Sequence, residues 1–226
     1  MAALIEAAAA SNPDGIIVSL PDAAALGPAI KAAVADGIPV VTMNSGLESS
    51  AELGALMHVG QPERDAGEAA GTRAASEGVT NGLCLNQEAF NTALVDRCEG
   101  YFSGLGGDLN MIDVSNDPAQ IETRTAAALQ ADPSIDGVLA VGPHVCEAAV
   151  KAIDAVGADV HLACFDLSPG VMDMIEAGQA SFTIDQQQRL QGYMPVIVLH
   201  LYNNHAGLLP GNNIASGPGF VDKSNA

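Results

Sequence analysis

At 226 residues the chain is long enough for one large domain or two small lobes, and 48% apolar against 15% charged residues specifies a buried core rather than a disordered segment. No run of 18 apolar residues is free of polar breaks, which excludes a membrane-spanning helix. The formal charge of −19, from 27 acidic and eight basic residues, repels phosphate backbones and argues against nucleic acid as a partner.

Residues 1–10 carry Glu6 and no basic leader, so they read as part of a helix rather than as a secretion signal. Beyond them, apolar runs bounded by Gly, Pro and Asp alternate with Ala-rich amphipathic stretches. The pattern predicts a strand over 15–20, a helix over 23–36, and strands over 38–43 and 57–60. Next come a helix over 63–77, a strand over 82–86, a helix over 89–103, a strand over 111–115 and a helix over 119–131. A strand over 137–141, a helix over 147–156, a strand over 160–165, a helix over 169–177, a strand over 181–185 and a helix over 189–206 follow. Strand and helix in succession predict an α/β protein of two Rossmann-like lobes, with parallel sheets flanked by helices and right-handed crossovers.

A long-range internal repeat points to those two lobes. Asp14-Gly15-Ile16-Ile17-Val18 opens a strand that ends at Pro21 and leads to a helix carrying Lys31. Asp136-Gly137-Val138-Leu139-Ala140 opens a strand that ends at Pro143 and leads to a helix carrying Lys151. Each Gly lies six residues before its Pro, and each Lys six residues before a further Gly, Gly37 or Gly157. The following strands end in Asn44-Ser45-Gly46 and in Asp166-Leu167-Ser168. Ligands of open α/β sheets bind beyond the carboxyl ends of the strands, so these residues are expected on opposite walls of a cleft.

The sequence holds no GxSxG elbow, Walker A loop or HExxH motif. Gly104, Gly106 and Gly107 follow a predicted helix and read as its C-cap and turn. What gathers at strand ends is a set of planar polar groups: Asn44, Asn86, Gln87, Asn91, Asp166 and Gln186. Sugar hydroxyls both donate and accept, and amides and carboxylates offer the matching partners. Phe90 and Phe165 are candidates to stack on the apolar face of a pyranose, and His144 follows a strand end. Arg97, between Asp96 and Glu99, reads as a structural helix residue. No CxxC pair or Cys/His cluster has zinc spacing. Cys84 falls in a predicted strand and Cys98 in the helix after it, where a disulfide is geometrically open to them; two buried thiols are the alternative. Cys146 and Cys164 receive no assignment.

Several segments together resemble the periplasmic sugar-binding proteins of the ribose and galactose type, receptors of ABC importers that share their core with LacI-type repressors. They are Pro13-Asp14-Gly15-Ile16-Ile17-Val18-Ser19, Gly37-Ile38-Pro39-Val40-Val41, Asp96-Arg97-Cys98-Glu99-Gly100-Tyr101, Ala163-Cys164-Phe165-Asp166 and Ile184-Asp185-Gln186-Gln187. The resemblance implies the type I periplasmic-binding-protein fold, with the initial βαβ of the first lobe missing here. It divides the chain into a first lobe, 1–57 with 186–212, and a second, 58–185 with 213–226. Ligand contacts carry over to Ser19, Asn44, Ser45, Phe165, Asp166 and Gln186. The family's ligand-binding arginine corresponds to Val95, and its hinge-proximal Asp-Arg pair to Asn44-Ser45, so a different hydroxyl pattern is expected.

The function so implied is binding of a monosaccharide or polyol for an ABC transporter permease in the periplasm, with no cofactor and no catalysis. The alternatives are the sensing core of a LacI-type regulator, which would need a helix-turn-helix, and a signal or chemotaxis receptor. A Rossmann-like enzyme is a further one, and it would need an acid/base pair that is not apparent.

Overall fold

The computed structural model describes residues 1–226. The chain opens with α1 (Ala2–Ala10), β1 (Ile16–Ser19), α2 (Ala23–Ala35), β2 (Val40–Met43), the single turn α3 (Leu47–Ser50) and β3 (Met57–Gly60). It continues through α4 (Glu63–Ser76), β4 (Gly82–Asn86), α5 (Thr92–Leu105), β5 (Met111–Asp113), α6 (Pro118–Ala131), β6 (Gly137–Ala140), α7 (Pro143–Val156), β7 (His161–Phe165), α8 (Pro169–Ala177) and β8 (Phe182–Asp185). It ends with α9 (Gln188–Asn204), β9 (Ile214–Ala215) and β10 (Gly219–Asp222). Two compact units result. The first comprises Met1–Pro62, Phe90–Thr92 and Gln187–Gly217; the second comprises Glu63–Ala89, Ala93–Gln186 and Pro218–Ala226.

The sheet of the first unit runs β1-β2-β3-β9, every pair parallel. Successive strand residues face opposite ways, which sorts its core into two layers. Val40 joins Ile16, Val18, Leu20 and Ile30, while Val41 joins Met57, Val59 and Val198 of α9. β1 is an edge. Its Ile16 amide bonds Pro39 O at 2.9 Å, so by parallel-ladder geometry the amides of Ile17 and Ser19 point away from β2.

The second unit has six strands in the order β10-β8-β7-β6-β4-β5. Leu83, Leu85, Val138, Ala140 and Leu162 pack on one face against α6, α7 and α8. Leu139, Val141, Ala163, Phe165 and Ile184 pack on the other against α4 and α5. A disulfide lies on each face. Cys84 of β4 is bonded to Cys98 of α5, as the strand-then-helix placement allows, and Cys164 of β7 is bonded to Cys146 of α7. α4 and α5 meet through glycines. A Cβ on Gly67 or Gly71 would run into the backbone carbonyls of Arg97 and Tyr101, and one on Gly100 or Gly104 into those of Arg64 and Glu68.

The α/β class and the parallel core of both sheets follow the alternation read from the sequence, and four local expectations are corrected. α5 begins at Thr92 rather than at 89, which leaves Phe90 in the preceding loop. α7 begins at Pro143 rather than at 147, because proline is favoured at the first helical position, where its missing N–H costs nothing. Gly104 is interior to α5 as a helix-contact residue, and the left-handed residue after that helix is Gly106. Finally, β10 pairs antiparallel with β8, so the second sheet is mixed. The repeat itself is real at the level of local geometry. Pro21 precedes the N-cap Asp22 of α2 while Pro143 is the first residue of α7, which accounts for the length difference between the two copies. Gly37 and Gly157 both follow their helices with positive φ, 84° and 65°, a conformation that favours glycine.

Candidate functional site

In the first unit the carboxyl ends of β1, β2 and β3 carry Ser19, Asn44 and Gly60. Asn44 sits just past β2 in the left-handed region, φ 63°, which asparagine tolerates better than most residues. That turn lets its Oδ1 accept from Ser19 Oγ at 3.3 Å and from Ser45 Oγ at 3.2 Å. Its Nδ2 donates to Gln191 Oε1 at 3.3 Å, and Gln191 Nε2 donates to Ser216 Oγ at 2.9 Å. The predicted residues Ser19, Asn44 and Ser45 thus form one hydrogen-bonded group. Gln191 and Ser216 extend it, both nearly fully buried.

Behind this group lies a buried polar cluster. Thr42 Oγ1 is 2.6 Å from Ser50 Oγ and 2.9 Å from His58 Nδ1, and the His58 amide donates to Asn213 Oδ1 at 2.8 Å. Burial pushes the His58 imidazole down to about 4, with the Asn44 backbone carbonyl opposing in part. His58 is therefore neutral at pH 7. A Cβ at Gly60 would strike both His58 and the Asn44 carbonyl, so glycine is required where β3 ends.

In the second unit β7 ends in Phe165 and Asp166, and Asp166 also adopts positive φ, 71°. Its backbone is anchored from β8: the Asp166 amide donates to Ile184 O at 2.8 Å, and Thr183 Oγ1 donates to Asp166 O at 2.7 Å. Gln186 Nε2 donates to Asp166 Oδ1 at 2.6 Å. On the other side stands Arg97 of α5, 3% exposed, with Nη1 3.9 Å from Asp166 Oδ2. Arg97, read from the sequence as a structural helix residue, is buried and fully engaged. It grips Glu63 through Nε at 2.6 Å and Nη2 at 3.0 Å, donates to Val141 O at 3.0 Å, and stacks 4.5 Å above the Phe165 ring. Burial opposes its charge, but Glu63 and then Asp166 outweigh that and hold it ionised. Burial pushes the Asp166 carboxyl up, and Arg97 and Gln186 pull it back only in part.

The remaining predicted residues fall into four places. Asn86 is buried at the end of β4 and its Oδ1 accepts from the Glu88 amide at 2.9 Å. Gln87 fills the space beside Gly142, and His144, in the first turn of α7, bonds Asn116 Oδ1 at 3.1 Å, with Asn116 Nδ2 donating to Glu88 Oε1 at 3.3 Å. Phe90 is 60% exposed and Asn91 buried in the loop before α5. Phe165 is fully buried, with Arg97 against its ring. No local signal marks Arg97 beyond its helix, since its burial depends on Glu63 and Phe165, which lie far from it in the chain. No group of three or more His, Cys, Asp and Glu side chains is placed to hold a metal ion. No helix is long and apolar enough to cross a membrane.

The carboxyl edge of the first sheet thus gathers amides and hydroxyls, and that of the second gathers the Asp166 carboxylate and the Gln186 amide, backed by a buried guanidinium. Such a set can share hydrogen bonds with a neutral polyhydroxylated molecule.

A family model described as a periplasmic binding protein domain matches residues 1–205. The xylose/arabinose-binding protein XylF of Sulfolobus acidocaldarius is 27% identical over 242 residues, covering 98% of this chain and 60% of XylF. The chain therefore spans about three-fifths of that relative's length. The crystal structure of a carbohydrate transporter from Acidothermus cellulolyticus in complex with myo-inositol matches with a TM-score of 0.95 at 42% identity, over 99% of this chain and 79% of that one. An ABC transporter solute-binding protein from Burkholderia graminis in complex with D-arabinose shares the fold, with a TM-score of 0.89 at 21% identity over 99% of this chain and 80% of that one.

Proposed function

The chain belongs to the periplasmic binding protein domain family, and from that premise we propose that it is a solute receptor for a monosaccharide or cyclic polyol, serving an ABC importer. The observation that carries the reading is the Asp166–Gln186 pair, braced by Arg97, at the carboxyl edge of the second unit's sheet. The carboxylate can accept from two neighbouring hydroxyls while Arg97 favours its ionised form. Ser19, Asn44 and Ser45 supply a second, uncharged set in the first unit. A neutral polyhydroxylated ligand suits either set, because each offers hydroxyl groups matching acceptors and donors. The relative complexed with myo-inositol, at 42% identity, favours a cyclic polyol or a pyranose. The two disulfides favour an oxidising compartment, and we place the protein in the periplasm with the transporter permease as its partner.

Calorimetric titration with myo-inositol, D-xylose, L- and D-arabinose, D-ribose and D-galactose tests the reading. At least one should bind, and Asp166→Ala should weaken it by roughly 1.5–3 kcal/mol, the range of a hydrogen bond to a charged group. Binding that is unchanged in the variant moves the site elsewhere. Silence across sugars and polyols, with turnover of any of them, would replace the receptor with an enzyme.

A further inference from the structure

The two disulfides stand in a definite relation to the charged cluster. Cys98 follows Arg97 on α5 and is bonded to Cys84 of β4, with Cα atoms 5.7 Å apart. Cys164 precedes Phe165 and Asp166 on β7 and is bonded to Cys146 of α7, with Cα atoms 5.8 Å apart. Between β4 and β7 runs β6, and just beyond its end Val141 presents the carbonyl that accepts from Arg97. One bridge therefore fixes the helix that carries the guanidinium to its sheet. The other fixes the strand that carries the carboxylate, from the opposite face. All four cysteines are fully buried, so neither bridge offers a sulfur to solvent or ligand.

We propose that both disulfides are positioning elements for the polyol site: Cys84–Cys98 sets the height of Arg97 over Phe165, and Cys146–Cys164 sets the end of β7 where Asp166 turns. The inference rests on the proposed function for its ligand but not for its geometry. A 3.9 Å ion pair spanning a helix and a strand end loses its register with sub-ångström movement of either element. Side chains on rigid elements hold such geometry only as well as those elements are held to one another. The glycine contacts between α4 and α5 fix that helix pair internally, and the Cys84–Cys98 bridge is what fastens it covalently to the sheet.

The test compares the native protein with Cys84→Ala/Cys98→Ala and Cys146→Ala/Cys164→Ala, each alone and combined with Asp166→Asn. Two quantities are read: affinity for whichever of the sugars above binds, and the titration of the Asp166 carboxyl by its carbon resonance. Removing either bridge should weaken binding by about fivefold or more, and should do so far less in the Asp166→Asn background, the non-additivity expected of coupled groups. As Arg97 draws off, the Asp166 midpoint should move further up. Equal weakening in both backgrounds, or an Asp166 titration that does not move, means the bridges are merely structural and overturns the inference. Should the native protein bind no sugar, the proposed function fails but the Asp166 titration still decides this point. If an alanine pair does not fold, the same titration is read on the corresponding Cys→Val pair, which refills the buried volume without restoring the bond.

Discussion

The two units solve one packing problem with different means. Both lay helices over a parallel sheet, yet the second has six strands, a disulfide on each face and a buried bidentate ion pair. The first has four strands, no disulfide, an edge strand of Ile16, Ile17 and Val18, and a buried cluster of neutral polar groups around His58. Stability in the second unit is concentrated in links that fail all at once. In the first it is spread over small contacts and one histidine that must stay uncharged.

The difference can be broken most sharply at Arg97. Arg97→Met leaves Glu63 buried without its partner and should destabilise the second unit by about 3–5 kcal/mol, read by urea unfolding. If Glu63→Met is then added, much of that loss should be restored, because an apolar pair avoids the desolvation of two charges. Second in size is the Cys146–Cys164 bridge. Opening it should cost roughly 3 kcal/mol by release of unfolded-chain entropy, with the unfolding of the first unit unchanged.

Acid should reveal the opposite order of weakness. His58 binds a proton in the unfolded chain below about 6.5 but in the folded one only below about 4. Its contribution is thus fully present above pH 6.5 and is lost as pH falls from there towards 4, by about 3 kcal/mol in all. Circular dichroism against pH should show the first unit failing in this window, and His58→Gln should flatten the slope. The second unit includes one carboxylate that resists acid. Asp222, held to about 2 by Ser224 and Arg73, keeps its charge well below that window. The smallest effect should come from Asp222→Asn, which loosens β10 where Arg73 lies against Phe182 and Phe220. Hydrogen exchange sharpens the same contrast: the Ile17 amide, facing away from β2, should exchange far faster than that of Leu139 in the centre of the second sheet.

What the sequence disclosed divides along the same physical line, local against distant. Strands such as β3, β4 and β8 were legible because each is a short apolar run with clear punctuation, as in Gly82-Leu83-Cys84-Leu85-Asn86. β9 and β10 were not, since two and four residues among Gly, Pro and Ser carry no period to detect. Pro143 and Gly142 hold the start signal of α7, ahead of the boundary expected at 147. At the site, Asn44, Asp166 and Gln186 could be singled out because strand ends are marked locally. Arg97 could not, because what makes it exceptional is Glu63, Val141 and Phe165, three residues from three other elements. The Cys146–Cys164 pair was hidden for the same reason: a helix and the strand after it come together only once β6 and β7 are paired.

The four glycines between α4 and α5 bear on how the second unit comes to exist at all. Glycine in a helix interior costs about 1 kcal/mol relative to alanine, so a helix with two of them is a poor helix in isolation. Gly67 and Gly71 weaken α4 on its own, and Gly100 and Gly104 weaken α5, while the contact they permit exists only when both are present. Neither helix therefore has reason to form ahead of the other. They should appear together in the folding transition state, after the chain between them has closed its loop and laid down β4. Gly71→Ala makes the kinetics readable: a better helix that cannot dock should leave the refolding rate slowed and any early helical signal increased.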